Sequence, residues 1–521
     1  MPQVIAEPRI RMPFPYKGLD ESLSFQDERP LTTPSCQNVR GYEPLTGRMR
    51  GGTRAGYSLF TPNQFNSGAS IQDISSIAIQ NTSDATSMKS TRTVKYLTVA
   101  GGKLYSFTSA GQTALNASFL STTMPVVYSS ECCGVLWWVD GTQYKYYNAA
   151  AGTTGTWTAS AGSLPASGSE RARLITTYRG RIVLAGLRTD PANYYMSRVG
   201  DPTDFDYAPS TETDLDATAG NTANASKAAD AITGLISWSD DVLIFGCNSS
   251  IRIMRGDPLE GGEVDFVSDI GMAWGKAWCK DPYGTVYFYG SDGMTYSMTP
   301  GNSPRKMATQ IQDRFAAIDL STKMIRLLWD NAEHGFHLYA SAFGSSAATT
   351  HYWYDAYNDA WFPDVFATNT MNPLAVANLD GDDPANRVAA IGTRNGYILK
   401  SNPDVKTDNG DTITAYVMIG PLQGKALDAL LLKELQAVFG SDSDAAAFSL
   451  YAGNSAEVAY NSSAFQTGTW VPERNHSTLV RKEGAAFFVK LATNAAGSAW
   501  QLESLFAKIS PLSDLRQRLL V

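Results

Sequence analysis

Short apolar segments alternate with glycine-containing turns through much of the chain. Between residues 71 and 400, an apolar segment, a turn centred on Gly and a second segment rich in aromatic residues recur about seven times. The copies span residues 96–105, 135–144, 181–196, 242–251, 286–296, 336–354 and 387–399. They follow one another at roughly 40 to 60 residues, which is the period of propeller blades. Because a single hairpin cannot bury its apolar face, this repeat predicts an all-β chain with a β-propeller of six or seven blades.

The flanking segments predict four further parts. Residues 1–70 contain eight prolines, which remove backbone donors and favour an extended N-terminal arm that lies over a neighbouring surface. Residues 401–410 predict a linker, and the strand candidates of 411–510 predict an antiparallel β-sandwich-like domain. Residues 511–521 form a C-terminal tail. For the repeated region, an irregular pair of β-sandwiches is the alternative architecture.

Composition narrows the class of protein. The 44 glycines, the 11% aromatic content and the 18% charged content favour a turn-rich all-β protein, and the best helix candidate, residues 426–435, is short. The net charge of −8 argues against a protein that grips DNA phosphates regardless of sequence. Five cysteines with no metal-binding spacing predict reduced, buried thiols. We expect no signal peptide and no membrane span, because no apolar run exceeds strand length.

No residue pattern singles out chemistry. His334, His337 and His351 are close in sequence, but strand residues three apart face opposite sides, so we expect surface and hairpin histidines rather than a metal site. Residues 379–384 resemble part of a calcium loop but lack its full ligand series, which favours an ordinary turn. Nucleophile elbows, phosphate loops and zinc-protease motifs are absent from the sequence. We therefore assign no catalytic, cofactor-binding or metal-binding residue, and predict that the protein is not an enzyme.

Four arginines gather among glycines in residues 38–56. The residues are Arg40, Arg48, Arg50 and Arg54. Glycines between them let the backbone approach a neighbouring surface closely, while the guanidinium groups reach carboxylates or phosphates on it. They are our candidate docking residues for a partner subunit or for DNA. The alternative is a solvated loop whose arginines form ion pairs within the chain.

Several stretches, taken in order, resemble one family. They are residues 38–56, 181–205, 231–245, 418–422 and 500–503. Together they make the chain similar to the tail nozzle proteins of short-tailed bacteriophages, which are also called tail tubular protein B or packaged-DNA stabilisation proteins.

The resemblance implies a structural virion protein located in the tail and assembled in the host cytoplasm. Its expected partners are further copies in a homohexameric ring, the head–tail adaptor and tail fibre or spike proteins. Viral double-stranded DNA is expected to pass through the lumen during ejection without tight binding. We expect the arm to reinforce head-to-tail contacts, so that deletion of residues 1–60 abolishes ring assembly and leaves a folded monomer.

Two other functions compete with this one. In a carbohydrate- or receptor-binding propeller, such as a tail fibre or lectin, Trp137, Trp138, Trp353 and Trp361 would line sugar sites, although their alternate spacing favours the core. A propeller glycosidase would need two convergent carboxylates, which the sequence does not single out.

Overall fold

The computed structural model describes residues 9–44, 46–80, 92–223, 227–344, 349–381, 386–424 and 428–512. Residues 382–384 of the calcium-like loop and 513–521 of the predicted tail lie outside these ranges. Seven antiparallel sheets follow one another along residues 71–402, and the predicted all-β propeller is confirmed, with seven blades.

Each blade is built from strands that follow one another along the chain, with two exceptions: Asp204–Phe205 lies between the third and fourth strands of blade 3, and the last strand of blade 7 comes from the N-terminal segment. Blade 1 comprises Ile71–Gln80, Arg92–Ala100, Lys103–Thr108 and Gly111–Asn116. Blade 2 comprises Tyr128–Cys132, Val135–Val139, Tyr144–Asn148 and Thr153–Thr156. Blade 3 comprises Leu174–Tyr178, Arg181–Ala185, Asn193–Met196 and Thr218–Asn221. Blade 4 comprises Ile232–Ser239, Val242–Cys247, Ile251–Arg255 and Val264–Ser268. Blade 5 comprises Trp278–Lys280, Val286–Tyr289, Thr295–Met298 and Arg305–Lys306. Blade 6 comprises Lys323–Asp330, Gly335–Ala342, His351–Asp355 and Ala360–Asp364. Blade 7 begins with Pro373–Asp380, Arg387–Thr393 and Ile398–Asn402.

The seven hairpins predicted from the sequence are the second and third strands of the seven blades. These central strands are buried on both faces, because each blade packs against two neighbours. In blade 2, Trp137 packs into the core shared with blade 3, whereas Trp138 packs into the core shared with blade 1. The side-chain alternation of a strand therefore places adjacent tryptophans in two different inter-blade cores.

The N-terminal segment closes the propeller. Gly56–Leu59 is the fourth strand of blade 7 and pairs antiparallel with Ile398–Asn402. On its other side lie Thr407–Asp408 and Asp411–Thr412, so the predicted linker at 401–410 contributes strands to this sheet. A Cβ on Gly56 would overlap the carbonyl oxygen of Thr407, so a larger residue does not fit here. Closure by a distant strand joins the two ends of the ring.

The C-terminal part is a two-sheet sandwich that includes strands from the N-terminal segment. One sheet has the order Val39–Arg40, Gly51–Thr53, Gln501–Pro511, Leu430–Phe439 and Thr478–Gly484, and Arg9–Met12 also pairs with Gln501–Pro511. The other sheet has the order Cys36–Gln37, Tyr416–Gln423, Ala486–Thr493, Ala446–Gly453 and Gln466–Trp470. The predicted arm is thus extended, but much of it is paired within these sheets. Residues 426–427 of the helix candidate lie outside the described ranges, and residues 430–435 belong to the strand Leu430–Phe439.

Short elements complete the described chain. The α-helices are Gln312–Ala316 and Ala456–Asn461, and the 3-10 helices are Phe25–Asp27, Phe65–Gly68, Gly168–Glu170, Thr309–Ile311 and Asn369–Met371. Ala161–Gly162 pairs in parallel with Asp204–Phe205. Within the described ranges, every helix is too short or too polar to cross a membrane.

One apolar core joins the propeller to the sandwich. It contains Phe336 and Trp361 of blade 6 together with Leu435 and Leu491 of the two sandwich sheets. Residues of the N-terminal segment such as Phe14 lie in the same cluster. Burial of this shared surface favours a fixed position of the sandwich on blades 5 and 6.

Candidate functional site

Three of the four candidate arginines are buried between the propeller and the sandwich. Arg40, Arg50 and Arg54 are 2%, 8% and 3% exposed. Arg48 lies in the turn between the two short strands and is exposed. The structure therefore separates one surface arginine from three that are held inside the molecule.

Arg40 connects the N-terminal segment to blade 6. Its Nη1 and Nη2 atoms donate to the two carboxylate oxygens of Asp364 at 2.9 and 2.8 Å, and its guanidinium lies 5.2 Å from the ring centroid of Trp353. Burial alone raises the pKa of Asp364, but the charges of Arg40 and Arg54 outweigh it and hold that pKa below its usual value. The pair is consequently ionised at neutral pH.

Arg54 fixes Gly56–Leu59, the strand that closes the propeller. It donates to both carboxylate oxygens of Asp408 at 2.8 and 2.6 Å, and its Nε donates to Asn38 Oδ1 at 3.1 Å. Its guanidinium also lies over the rings of Tyr57 and Phe366 at 5.6 and 5.4 Å. These contacts tie Gly56–Leu59 to the last hairpin of the blade 7 sheet.

Arg50 reaches the sandwich. It donates to Glu43 at 2.9 Å, to both oxygens of Asp442 at 2.8 and 2.9 Å, and to Glu503 at 3.0 Å. Burial opposes the charge of Glu43, yet hydrogen bonds from Arg50 and Thr46 lower its pKa to about 2. Each buried arginine thus binds a different part of the fold.

This geometry favours intrachain ion pairs for Arg40, Arg50 and Arg54, the alternative left open by the sequence. Their guanidinium groups already bind carboxylates and face away from solvent. Docking of a partner by this segment stays a prediction, and Arg48 is the member whose side chain is accessible for it.

A groove lies beside the same segment. It has a volume of about 920 Å³ and is bounded by residues 42–44 and 46–49, the turns of blade 6 and the first two strands of blade 7. Glu333 in its wall accepts from Tyr42 Oη at 3.0 Å and from Ser401 Oγ at 3.3 Å. Burial, with the nearby charge of Glu333, raises the pKa of Asp330 to about 6. The sequence carries no signal for this groove, because its walls come from segments that are far apart in the sequence.

The propeller axis is closed by side chains. Tyr128 of the first strand of blade 2 meets Arg326 of the first strand of blade 6, with the guanidinium 5.3 Å from the ring centroid. Both are buried, at 5% and 3% exposure. Gly275 packs against them so closely that a Cβ would overlap Tyr128 Oη and lie 3.2 Å from Arg326 Nη1. Since blades 2 and 6 stand across the ring, this contact blocks the centre of the propeller.

The three histidines that were considered from the sequence do not form one cluster. His337 and His351 are buried in blade 6, and burial lowers the pKa of each to about 4. His351 Nδ1 accepts the backbone N–H of Ala340 at 3.2 Å, and its Nε2 lies 3.0 Å from Asn372 Oδ1. His334 lies instead in a surface turn, where it stacks on Tyr357. In the described part of the chain, no three His, Cys, Asp or Glu side chains are grouped as metal ligands.

The cysteines and tryptophans lie mostly inside. Four thiols are buried, whereas Cys133 is exposed in a turn, contrary to the expectation that all five are buried. Trp137 is 5% exposed, and Trp138, Trp353 and Trp361 are fully buried. Trp138, Trp353 and Trp361 therefore do not line an open sugar site, whereas Trp137 lies in the wall of a second pocket of about 450 Å³, together with Tyr146 and Trp157.

The comparisons with known proteins concern the fold. No family model matches the chain, and no curated protein matches it. Virginiamycin B lyase from Staphylococcus aureus is similar over 66% of this chain and 98% of that chain, with 12% identity and a TM-score of 0.40. YCF48 from Cyanidioschyzon merolae is similar over 67% of this chain and 99% of that chain, with 11% identity and a TM-score of 0.39. At such identities the likeness concerns the fold alone.

The same comparisons correct our prediction that the protein is not an enzyme. Similar structures include an enzyme, virginiamycin B lyase. Our inference that a chain without catalytic motifs is not an enzyme was therefore wrong, because proteins with the same fold have either catalytic or non-catalytic sites. The likeness assigns no activity or substrate to this chain.

Proposed function

We propose that the protein is a subunit of the tail nozzle of a short-tailed bacteriophage. In this role, six copies form a ring below the portal and adaptor, surround the path of the DNA and bind tail fibres or spikes. The proposal begins with the ordered resemblance of residues 38–56, 181–205 and 231–245 to that family.

Closure of the propeller axis is the structural observation that most supports this role. Tyr128 and Arg326 meet at the centre of the ring of blades, so a single propeller does not offer a free path along its axis. A conduit built from this protein must then lie between several copies. A ring of head-to-tail subunits provides such a conduit.

The contacts of the N-terminal segment suit a subunit that resists mechanical stress. It pairs in both sandwich sheets and in blade 7, and Arg40, Arg50 and Arg54 bind carboxylates in three different parts of the fold. Separation of the sandwich from the propeller requires the buried ion pair between Arg40 and Asp364 of blade 6 to break, which is costly. Such a subunit resists deformation when packaged DNA exerts pressure on the tail.

The net charge suits a surface that releases DNA. Tight binding to phosphates depends on clustered Lys and Arg, whereas this chain has a net charge of −8 and holds three arginines of residues 38–56 in internal pairs. Viral DNA then passes the ring without being retained.

Imaging tests the proposal directly. The full chain is purified and examined by negative-stain electron microscopy, alone and together with the head–tail adaptor protein of the same phage. We expect six-fold rings, and labelling of the tail when antibodies against this chain are applied to virions. Monomers that never form a ring with the adaptor, together with unlabelled tails, would overturn the proposal.

A further inference from the structure

The groove beside residues 42–44 and 46–49 contains an exposed aromatic ring, and one face of this ring packs against another side chain. Tyr357, in the turn between the last two strands of blade 6, is 76% exposed. Its ring stacks on His334 with centroids 4.0 Å apart and an interplanar angle of 23°, and His334 in turn contacts Trp329 edge-on at 5.6 Å. A ring held in this way offers a flat apolar face at little cost in side-chain entropy.

Three side-chain amides line the same groove, and each is oriented by one hydrogen bond. Asn331 Oδ1 accepts from Trp329 Nε1 at 3.0 Å, and Asn378 Nδ2 donates to the carbonyl of Trp329 at 3.0 Å. Asn358 Nδ2 donates to Asp355 Oδ2 at 2.7 Å. The NH2 group of Asn331 and the Oδ1 atoms of Asn358 and Asn378 have no side-chain or backbone partner among the described residues. Such a mixture of donors and acceptors matches hydroxyl groups, which both donate and accept.

Two of the three carboxylates that line the groove form ion pairs with arginines of this chain. Glu333 binds Arg40 and Tyr42, and Asp380 forms ion pairs with Arg92 at 3.1 Å and Arg387 at 3.4 Å. The third carboxylate, Asp330, accepts the backbone N–H groups of Ala332 and Glu333, so the groove has no excess of positive charge to attract an anion. Its volume of about 920 Å³ falls in the range of small-molecule binding sites.

We propose that this groove binds a neutral oligosaccharide. One pyranose ring stacks its apolar face on Tyr357, and neighbouring hydroxyl groups bond to Asn331, Asn358 and Asn378. The site is distinct from the four buried tryptophans considered from the sequence. A nozzle subunit with this site contacts cell-surface glycan as well as DNA.

The test uses the purified full chain and a printed array of neutral and acidic oligosaccharides, followed by calorimetry with the best neutral binder. We expect selective binding of neutral oligosaccharides and a Kd about tenfold weaker for Tyr357→Ala, the usual consequence of removing an aromatic anchor. Asn331→Ala is expected to weaken binding as well. Tyr283→Ala is the matched control, because Tyr283 is 80% exposed and lies 6.4 Å from His334 without lining the groove.

Several results would overturn this site. They are the absence of neutral oligosaccharide binding by the unmodified chain, a preference for acidic oligosaccharides, or equal losses for Tyr357→Ala and Tyr283→Ala. Cross-linking of a Tyr357→Cys variant to a second copy would identify the groove as a subunit contact and also count against it. Circular dichroism verifies that each variant is folded. Because none of these measurements requires a ring, the site and the nozzle proposal fail independently.

Discussion

Arg40 and Asp364 are buried together where the N-terminal segment crosses blade 6. Removal of one partner leaves a buried charge without its counterpart, although Arg54 Nε remains 3.8 Å from Asp364. We expect Arg40→Met to lower the free energy of unfolding by about 3–5 kcal/mol. Chemical denaturation followed by tryptophan fluorescence measures the change.

Arg48→Met is the control for that substitution, because Arg48 belongs to the same segment and is exposed. Its effect is expected to stay within about 0.5 kcal/mol, as for most surface changes. Equal decreases in the free energy of unfolding for Arg40→Met and Arg48→Met would show that the ion pair of Arg40 does not stabilise the fold more than an exposed arginine does.

Two buried histidines predict an acid-sensitive fold. The pKa values of His337 and His351 fall from 6.5 to about 4 in the folded chain because burial disfavours the charged ring. Below pH 6.5 the unfolded chain therefore binds protons that the folded chain does not, so stability decreases as the pH falls from about 6.5 to about 4. Denaturation midpoints measured across this range test the prediction.

Substitution of one histidine separates this effect from general acid denaturation. His351→Gln is expected to reduce the pH dependence between pH 6.5 and 4, even though the variant is less stable at neutral pH. His476→Gln, at an exposed position, leaves the dependence unchanged. An identical pH profile for all three proteins would contradict the assignment.

At the scale of elements, the N-terminal segment supplies strands that the rest of the chain lacks. Gly56–Leu59 completes blade 7, and Arg9–Met12 and Gly51–Thr53 both pair with Gln501–Pro511. Our expectation that a chain without residues 1–60 remains a folded monomer conflicts with these pairings. Loss of the N-terminal segment opens the propeller and exposes core residues such as Leu399.

We therefore predict that deletion of residues 1–60 yields an aggregating chain without near-ultraviolet circular dichroism. A peptide of residues 1–60 added during refolding is expected to restore the signal, since it carries the missing strands. A peptide with Arg40, Arg50 and Arg54 all changed to Met serves as the control and restores less. A monomeric truncated chain with a native spectrum would refute this account.

At the scale of the whole molecule, the propeller and the sandwich share one core and one N-terminal segment. Two parts connected in this way unfold together, because exposure of one removes strands or apolar contacts from the other. Differential scanning calorimetry is expected to show a single transition whose calorimetric and van't Hoff enthalpies agree. Two resolved transitions would mean that the sandwich folds independently.

The sequence by itself determined the local elements of the propeller. Glycine turns and alternating apolar residues act over a few neighbours, so the hairpins at 135–144 and 286–296 were predictable, as was the burial of Trp138 and Trp353. Residues 430–435 of the short helix candidate are a strand instead, because pairing with Gln501–Pro511 favours that conformation. Local propensity yields to tertiary pairing in such cases.

Only the tertiary structure decided how the chain closes and what its arginines bind. Gly56–Leu59 pairs with residues more than three hundred positions away, and the partners of Arg40 and Arg54, Asp364 and Asp408, are equally remote. The groove around Tyr357 likewise combines turns from distant segments. Local patterning specifies a strand and its buried face, but it does not specify the partner at an unpaired edge. That choice depends on which distant edge or charge the folded chain brings within reach.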